Sequence, residues 1–170
     1  MTNHTKGQVA VTGIGIISCI GTTAAEVRES LRSGRSGIVL DPLRKEMGFR
    51  SGLTGKVGKP SPAAYGLDRK ALKTMGEPAL YGYLAAHDAI QDAGLSPESL
   101  ASGRCGIIFG NDSCIASSVE AIDILRREKE THFIGSGFVF KGMNSTATIN
   151  LGTLLGIQGA SWTVSAACAS

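Results

Sequence analysis

Four cysteines (Cys19, Cys105, Cys114, Cys168) and three histidines (His4, His87, His132) are the side chains best suited to nucleophilic or metal chemistry. No two cysteines form a Cys-x-x-Cys pair, and no histidine is spaced to join them, so the pattern speaks against a zinc site. A chain this long and this apolar has no need of a disulfide framework. Gly13-Ile14-Gly15-Ile16-Ile17-Ser18 follows an apolar run, as a dinucleotide fingerprint would. Its third glycine is replaced by Ser18, and no acidic residue ends a second strand about 20 residues later, so it is expected to be a glycine-rich turn. The stretch Trp162 to Ser170 offers more. A strand ending in small residues around Cys168 is what a nucleophile elbow requires, because small neighbours let the backbone turn sharply and leave the sulfur open. A helix starting there would aim its free N–H groups at the sulfur and favour the thiolate. A cysteine among alanines is also how a packed small hydrophobe looks, so this motif alone leaves both readings open.

The elements that would position these groups alternate between strand and helix. Gln8–Ile17 is expected to be a buried strand, Cys105–Gly110 a second and Trp162–Ser165 a third. Thr22 or Thr23 can cap a helix over 24–33 that carries Val27 and Leu31 on one face and stops at Gly34. Residues 35–65 form a loop excursion with a small hairpin. Leu67–Met75 is expected to be a short helix opened by Asp68. Pro78 starts a longer helix whose Leu80, Tyr83, Leu84, His87 and Ile90 recur at helical spacing until Gly94. Ser96-Pro97-Glu98 opens another turn. Ser117-x-x-Glu120 resembles a capping box ahead of Ile122 and Leu125, with the Arg126–Glu130 charges at the solvated end. Met143–Leu155 is a further helix closed by Gly156. The alternation predicts an α/β layer with a mostly parallel sheet and helices packed on it.

Composition agrees with a folded, water-facing domain. Of 170 residues 42% are hydrophobic and 18% charged, enough to bury a core and too apolar for a disordered tail. The net charge of +3 contains no Lys/Arg block, so neither nucleic acid nor an anionic membrane is an expected partner. No apolar run approaches the roughly 20 residues that span a bilayer. Met1–Lys6 lacks the apolar stretch of a secretory signal, and the expected location is cytoplasmic.

Taken together, the chain resembles the amino-terminal half of a β-ketoacyl-acyl-carrier-protein synthase of the elongating kind. The resemblance runs through Val9–Gly15, Ser18, Gly21, Gly34–Ile38, Asp68-Arg69-Lys70, Ile90-x-Asp92-Ala93-Gly94-Leu95, Met143-Asn144, Gly156–Gly159 and Ser165–Ser170. It implies a thiolase-like layered fold, of which residues 1–170 would be the amino-terminal domain, with the carboxy-terminal half absent. It further implies that Cys168 is the catalytic nucleophile that takes an acyl chain as a thioester before decarboxylative condensation with a malonyl unit. Its backbone N–H would serve an oxyanion hole. The loop Gly110-Asn111-Asp112-Ser113-Cys114 stands where the family has a glycine-rich loop near the acyl pocket. Asn111 and Cys114 of that loop, and Met143 of the Met143-Asn144 match, are expected to bind substrate, and Asp112 is given no catalytic role. The implied partners are acyl-carrier protein, whose phosphopantetheine arm delivers the acyl group, and a second copy of the subunit. That copy is expected to meet the helix near Met143–Leu155 and the strand near Trp162–Ser165. No metal and no cofactor of the protein's own is required. None of the three histidines matches the family's catalytic pair, which lies in the carboxy-terminal half, so the 170-residue chain by itself is expected to be inactive. The rival reading is a non-catalytic partner or scaffold subunit; such relatives usually lose the nucleophile, and Cys168 is present.

Overall fold

Helix α4 (Glu77–Asp92) is the longest element and the one on which the core converges. Gly76 precedes it and Pro78 sits in its first turn, where a missing N–H costs nothing. Ala79, Tyr83 and Leu84 are buried along one face, Leu84 completely. They meet Leu67, Met75, Ile107, Ala147 and Leu151, the last two on helix α8 (Thr146–Leu155). A fully buried leucine contributes about 1.5–3 kcal/mol. The α8 surface is also polar inside: Thr74 Oγ1 donates to Asn150 Oδ1 at 3.0 Å, and Asn150 Nδ2 donates to the Thr146 carbonyl at 2.9 Å.

The computed structural model describes residues 8–58 and 60–170. Along the chain come α1 (Ala24–Ser33), β1 (Ile38–Leu40), α2 (Pro42–Glu46), β2 (Leu53–Gly55), a 3-10 turn (Pro62–Tyr65) and α3 (Arg69–Leu72). After α4 follow α5 (Pro97–Leu100), β3 (Ile107–Gly110), α6 (Ile115–Glu128), α7 (Ser136–Gly142), α8, β4 (Ser161–Val164) and a last 3-10 turn, Ala167–Ala169. Strands β1 and β2 pair antiparallel with Val39 opposite Thr54, the hairpin expected between 35 and 65. Strands β3 and β4 pair parallel, with Ile108 opposite Trp162 and Gly110 opposite Val164. Ile107 and Phe109 turn toward α4 and α8, whereas Ile108 (80% exposed) and Trp162 (66% exposed) look away from them. The molecule is an α/β layer, with one parallel and one antiparallel strand pair among the described residues.

Several expectations need correction. Gln8–Ile17 belongs to no ladder, and Val9 is 97% exposed. A strand needs hydrogen-bonding neighbours, and this segment finds a helix instead. The Ile14 N–H donates to Asp92 Oδ2 at 2.9 Å, and a methyl group on Gly13 or Gly15 would collide with the Ala89 or Ala85 carbonyl of α4. Gly-x-Gly is thus neither a nucleotide cradle nor a turn but a site of close backbone approach. Gly15 and Ile107 of β3 line the same apolar hollow of 430 Å³, and no ladder joins the segment to β3 among the described residues. Ser117 and Glu120 are not a capping box, because α6 has already begun at Ile115. The equivalent pattern is at α1: Thr23 Oγ1 accepts the Glu26 N–H at 3.2 Å, and Glu26 Oε2 accepts the N–H of Thr22, one residue before the cap, at 2.7 Å. The short helix expected over 67–75 is confined to α3, capped by Asp68, and the helix expected from Met143 begins at Thr146. Met143 and Asn144 are left in the bend between α7 and α8. Helix α7 itself, preceded by Gly135 and ending on Gly142, carries no sequence periodicity that would announce it.

Candidate active site

Strand β4 delivers the chain into a sharp turn. Ala166 leaves the strand at φ −148°, ψ 40°, and Ala167 adopts φ +50° in the left-handed region. For a residue with a Cβ that conformation costs about 1–2 kcal/mol, and such strain gathers where the fold must aim a particular group. Cys168 follows at once, exposed, in the 3-10 turn Ala167–Ala169. The Ala169 and Ser170 N–H groups donate to the Ala166 and Ala167 carbonyls at 3.0 and 3.1 Å, and Ser170 Oγ accepts from the Ala166 N–H at 2.6 Å. The Cys168 N–H has no acceptor among the described residues. Gly110 at the end of β3 makes room for this turn, since a Cβ there would strike the backbone of Ser170.

The loop after β3 wraps the other side. Its backbone is tied to the neighbouring strand by the Asn111 N–H, which donates to the Val164 carbonyl at 3.0 Å. The buried Asn111 side chain gives its Nδ2 to Cys114 Sγ at 3.1 Å and to the Asn144 carbonyl at 3.0 Å, while Asn144 Nδ2 returns to the Asp112 carbonyl at 3.1 Å. Asp112 Oδ1 accepts the Ser165 hydroxyl at 2.6 Å and the Ala167 N–H at 3.2 Å. The Ser165 hydroxyl first, and the Ala167 N–H second, hold the exposed Asp112 carboxyl below the usual aspartate range.

The structure therefore joins Asn111 directly to Cys114 and to the bend that holds Met143, and it ties that loop to the Cys168 turn through Asp112. Cys114 is half-buried at the start of α6 and lines a 320 Å³ hollow with Gly76, Pro78, Tyr81, Ile115 and Lys141. Met143 ends α7 with an exposed side chain and is not among the residues lining that hollow. Cys19 and Cys105 are half-buried. His87 lies between Tyr65, Tyr83 and Asp88, its Nδ1 buried without a hydrogen bond, and His132 bonds Glu130 Oε2 at 3.1 Å on the surface. His4 lies outside the described residues. Ser165, Asp112 and Asn144 form the support of the turn, and spacing in the sequence gave no sign of it, because the Asp112–Ser165 pair is separated by 53 positions.

A parallel strand pair that runs into a strained cysteine turn, with α8 behind it, is the α/β arrangement that positions this site. The solved "ishigamide ketosynthase/chain length factor" superposes with a TM-score of 0.81 over 91% of this chain and 39% of its own, at 23% identity. A type II polyketide synthase acyl-carrier protein in complex with its ketosynthase, bound to the hexaketide, superposes at 0.66 over 91% of this chain and 37% of that one, at 24% identity. The sequence itself carries the assignment further: the chain belongs to the β-ketoacyl synthase family, whose amino-terminal domain model matches residues 6–170. The 3-oxoacyl-[acyl-carrier-protein] synthase 1 of Haemophilus influenzae is 37% identical over 164 residues, 96% of this chain and 40% of that protein. The chain thus spans about two fifths of the length of the curated relatives it matches.

Proposed function

We propose that the protein carrying this chain is a β-ketoacyl-acyl-carrier-protein synthase in which Cys168 is the nucleophile. The observation that supports this most is the exposed Cys168, presented by a left-handed Ala167 at the end of a parallel strand, in a chain of this family. The Cys168 thiolate attacks the thioester carbonyl of an acyl group carried by acyl-carrier protein. The carrier's phosphopantetheine sulfur leaves as a thiolate, and the acyl group remains on Cys168. In this proposal the Cys168 N–H, which has no acceptor of its own among the described residues, donates to the oxyanion of that step. In the second half-reaction a malonyl thioester loses carbon dioxide, and the resulting carbanion attacks the Cys168 thioester. A carbon–carbon bond forms and the thiolate returns. Asn111, Cys114 and Met143 belong to the acyl-binding side of the site in this proposal, with Cys114 at the wall of the hollow. A second copy of the subunit covers the outer face of β4 and α8, the carrier protein is the other partner, and the cytoplasm is the compartment. Among the described residues no helix is long and apolar enough to cross a membrane. The protein brings no cofactor of its own to this chemistry.

The test is acylation of the intact protein by acyl-carrier protein, followed by peptide mass mapping. The acyl group is expected on Cys168 rather than Cys114, and Cys168→Ala is expected to abolish both acylation and the β-ketoacyl product. The polypeptide 1–170 by itself is expected to release no such product with acyl- and malonyl-carrier protein. Stable acylation on Cys114, or product formation by Cys168→Ala, overturns the assignment.

A further inference from the structure

We propose that Asp112 is a positioning residue for the acyl-transfer step: its carboxylate holds the turn that presents Cys168 by accepting hydrogen bonds from Ser165 on one side of Ala166 and from Ala167 on the other. The proposal rests on Cys168 being the nucleophile.

Both bonds go to the same oxygen, Oδ1, from the Ser165 hydroxyl at 2.6 Å and the Ala167 N–H at 3.2 Å. They bracket Ala166, whose dihedrals leave the strand, and the second ends on the N–H of the left-handed Ala167 itself. Bonds to an ionised acceptor are roughly twice as strong as neutral ones, and here they act on a conformation that an alanine does not choose unaided. The lowered acidity range of the Asp112 carboxyl agrees with a group that works as the anion.

The carboxylate is itself aimed. Its own carbonyl takes the Asn144 Nδ2 at 3.1 Å, the preceding N–H is tied to Val164, and the buried Asn111 side chain closes back onto Asn144. Three parts of the fold, the ends of β3 and β4 and the bend before α8, thus fix the backbone of Asp112. Its carboxylate occupies the Ala167 N–H, while the next N–H, that of Cys168, is left without an acceptor among the described residues. Asp112 therefore decides which backbone donor in the turn remains for substrate. A misdirected turn would leave the thiol chemically intact and misplace it against the thioester carbonyl, and errors of that kind lower the transfer rate more than donor binding.

Single-turnover acylation of the intact protein by an acyl-CoA thioester, followed by intact mass and peptide mapping, tests this. Asp112→Ala is expected to slow acylation of Cys168 by about tenfold or more, with the half-saturating donor concentration unchanged within about twofold. Asp112→Asn keeps an acceptor oxygen at the same place and is expected to recover severalfold over Asp112→Ala. Ser165→Ala removes one of the two donors and is expected to lose about threefold. Should Asp112→Ala fail to fold, Ser165→Ala decides. An Asp112→Ala protein that acylates at the wild-type rate overturns the proposal. So does an Asp112→Asn protein no faster than Asp112→Ala, or a Ser165→Ala protein at full rate where Asp112→Ala cannot be made. Acyl transfer that persists in Cys168→Ala overturns instead the underlying reading, and the mapped peptide tells the two failures apart.

Discussion

At the scale of single residues, Ala167 and Asp112 show two different relations between sequence and site. The turn residues Ser165–Ser170 are contiguous, small and end a strand, so a nucleophile elbow could be read from the sequence directly. Asp112 sits in a chemically ordinary Asn-Asp-Ser loop, and its partners become visible only when β3 and β4 pair and bring the two strand ends together. No local pattern encodes a hydrogen bond across 53 positions. The consequence can be measured. Because Asp112 titrates below the usual aspartate range, its bonds to the turn persist above that range and are lost only as pH falls through the lowered value. Removing the largest cause with Ser165→Ala is expected to move the Asp112 midpoint upward, in a carboxyl titration followed by NMR. A midpoint that stays in place would remove the Ser165 hydroxyl as its cause.

Among the elements, helices with clear ends and periodic apolar faces were legible, and those defined by neighbours were not. Pro78, the spacing from Leu80 to Ile90 and Gly94 bound α4 closely, because propensity, cap and burial agree there. Gln8–Ile17 has strand composition, yet β propensity describes fit to a sheet surface, and the described residues supply no partner for a ladder. Its two glycines report contact with α4, which is invisible until the helix is in place. The two Ser/Thr-x-x-Glu patterns make a similar point: Thr23 to Glu26 caps a helix and Ser117 to Glu120 lies inside one, although the local words are alike. Since α4 organises the core, its central leucine is the sensitive position. Leu84→Ala is expected to cost about 2–5 kcal/mol by chemical denaturation, as the surrounding side chains can only partly close the space. A loss below about 1 kcal/mol would show that the α4–α8 contact is looser than the burial of Leu84 implies.

Over the whole molecule, α4 and α8 cover one face of the β3–β4 pair, while Ile108 and Trp162 leave the other open. Val9 and Val11 are exposed as well, and on α8 so is Ile149. Monomers seldom expose contiguous apolar patches beyond ~300–600 Å². The polypeptide 1–170 is therefore expected to associate with itself at low micromolar concentration in sedimentation velocity, and a clean stable monomer would contradict this. The open face also carries a built-in optical signal. Trp162 is the sole tryptophan of the 170 residues. An indole in water emits at longer wavelength than one packed against apolar groups, because the surrounding dipoles relax around its excited state. Whatever covers the outer side of β4 will shift that emission to the blue and protect it from quenching by iodide. Assembly on this face can thus be followed in real time on the unmodified polypeptide 1–170.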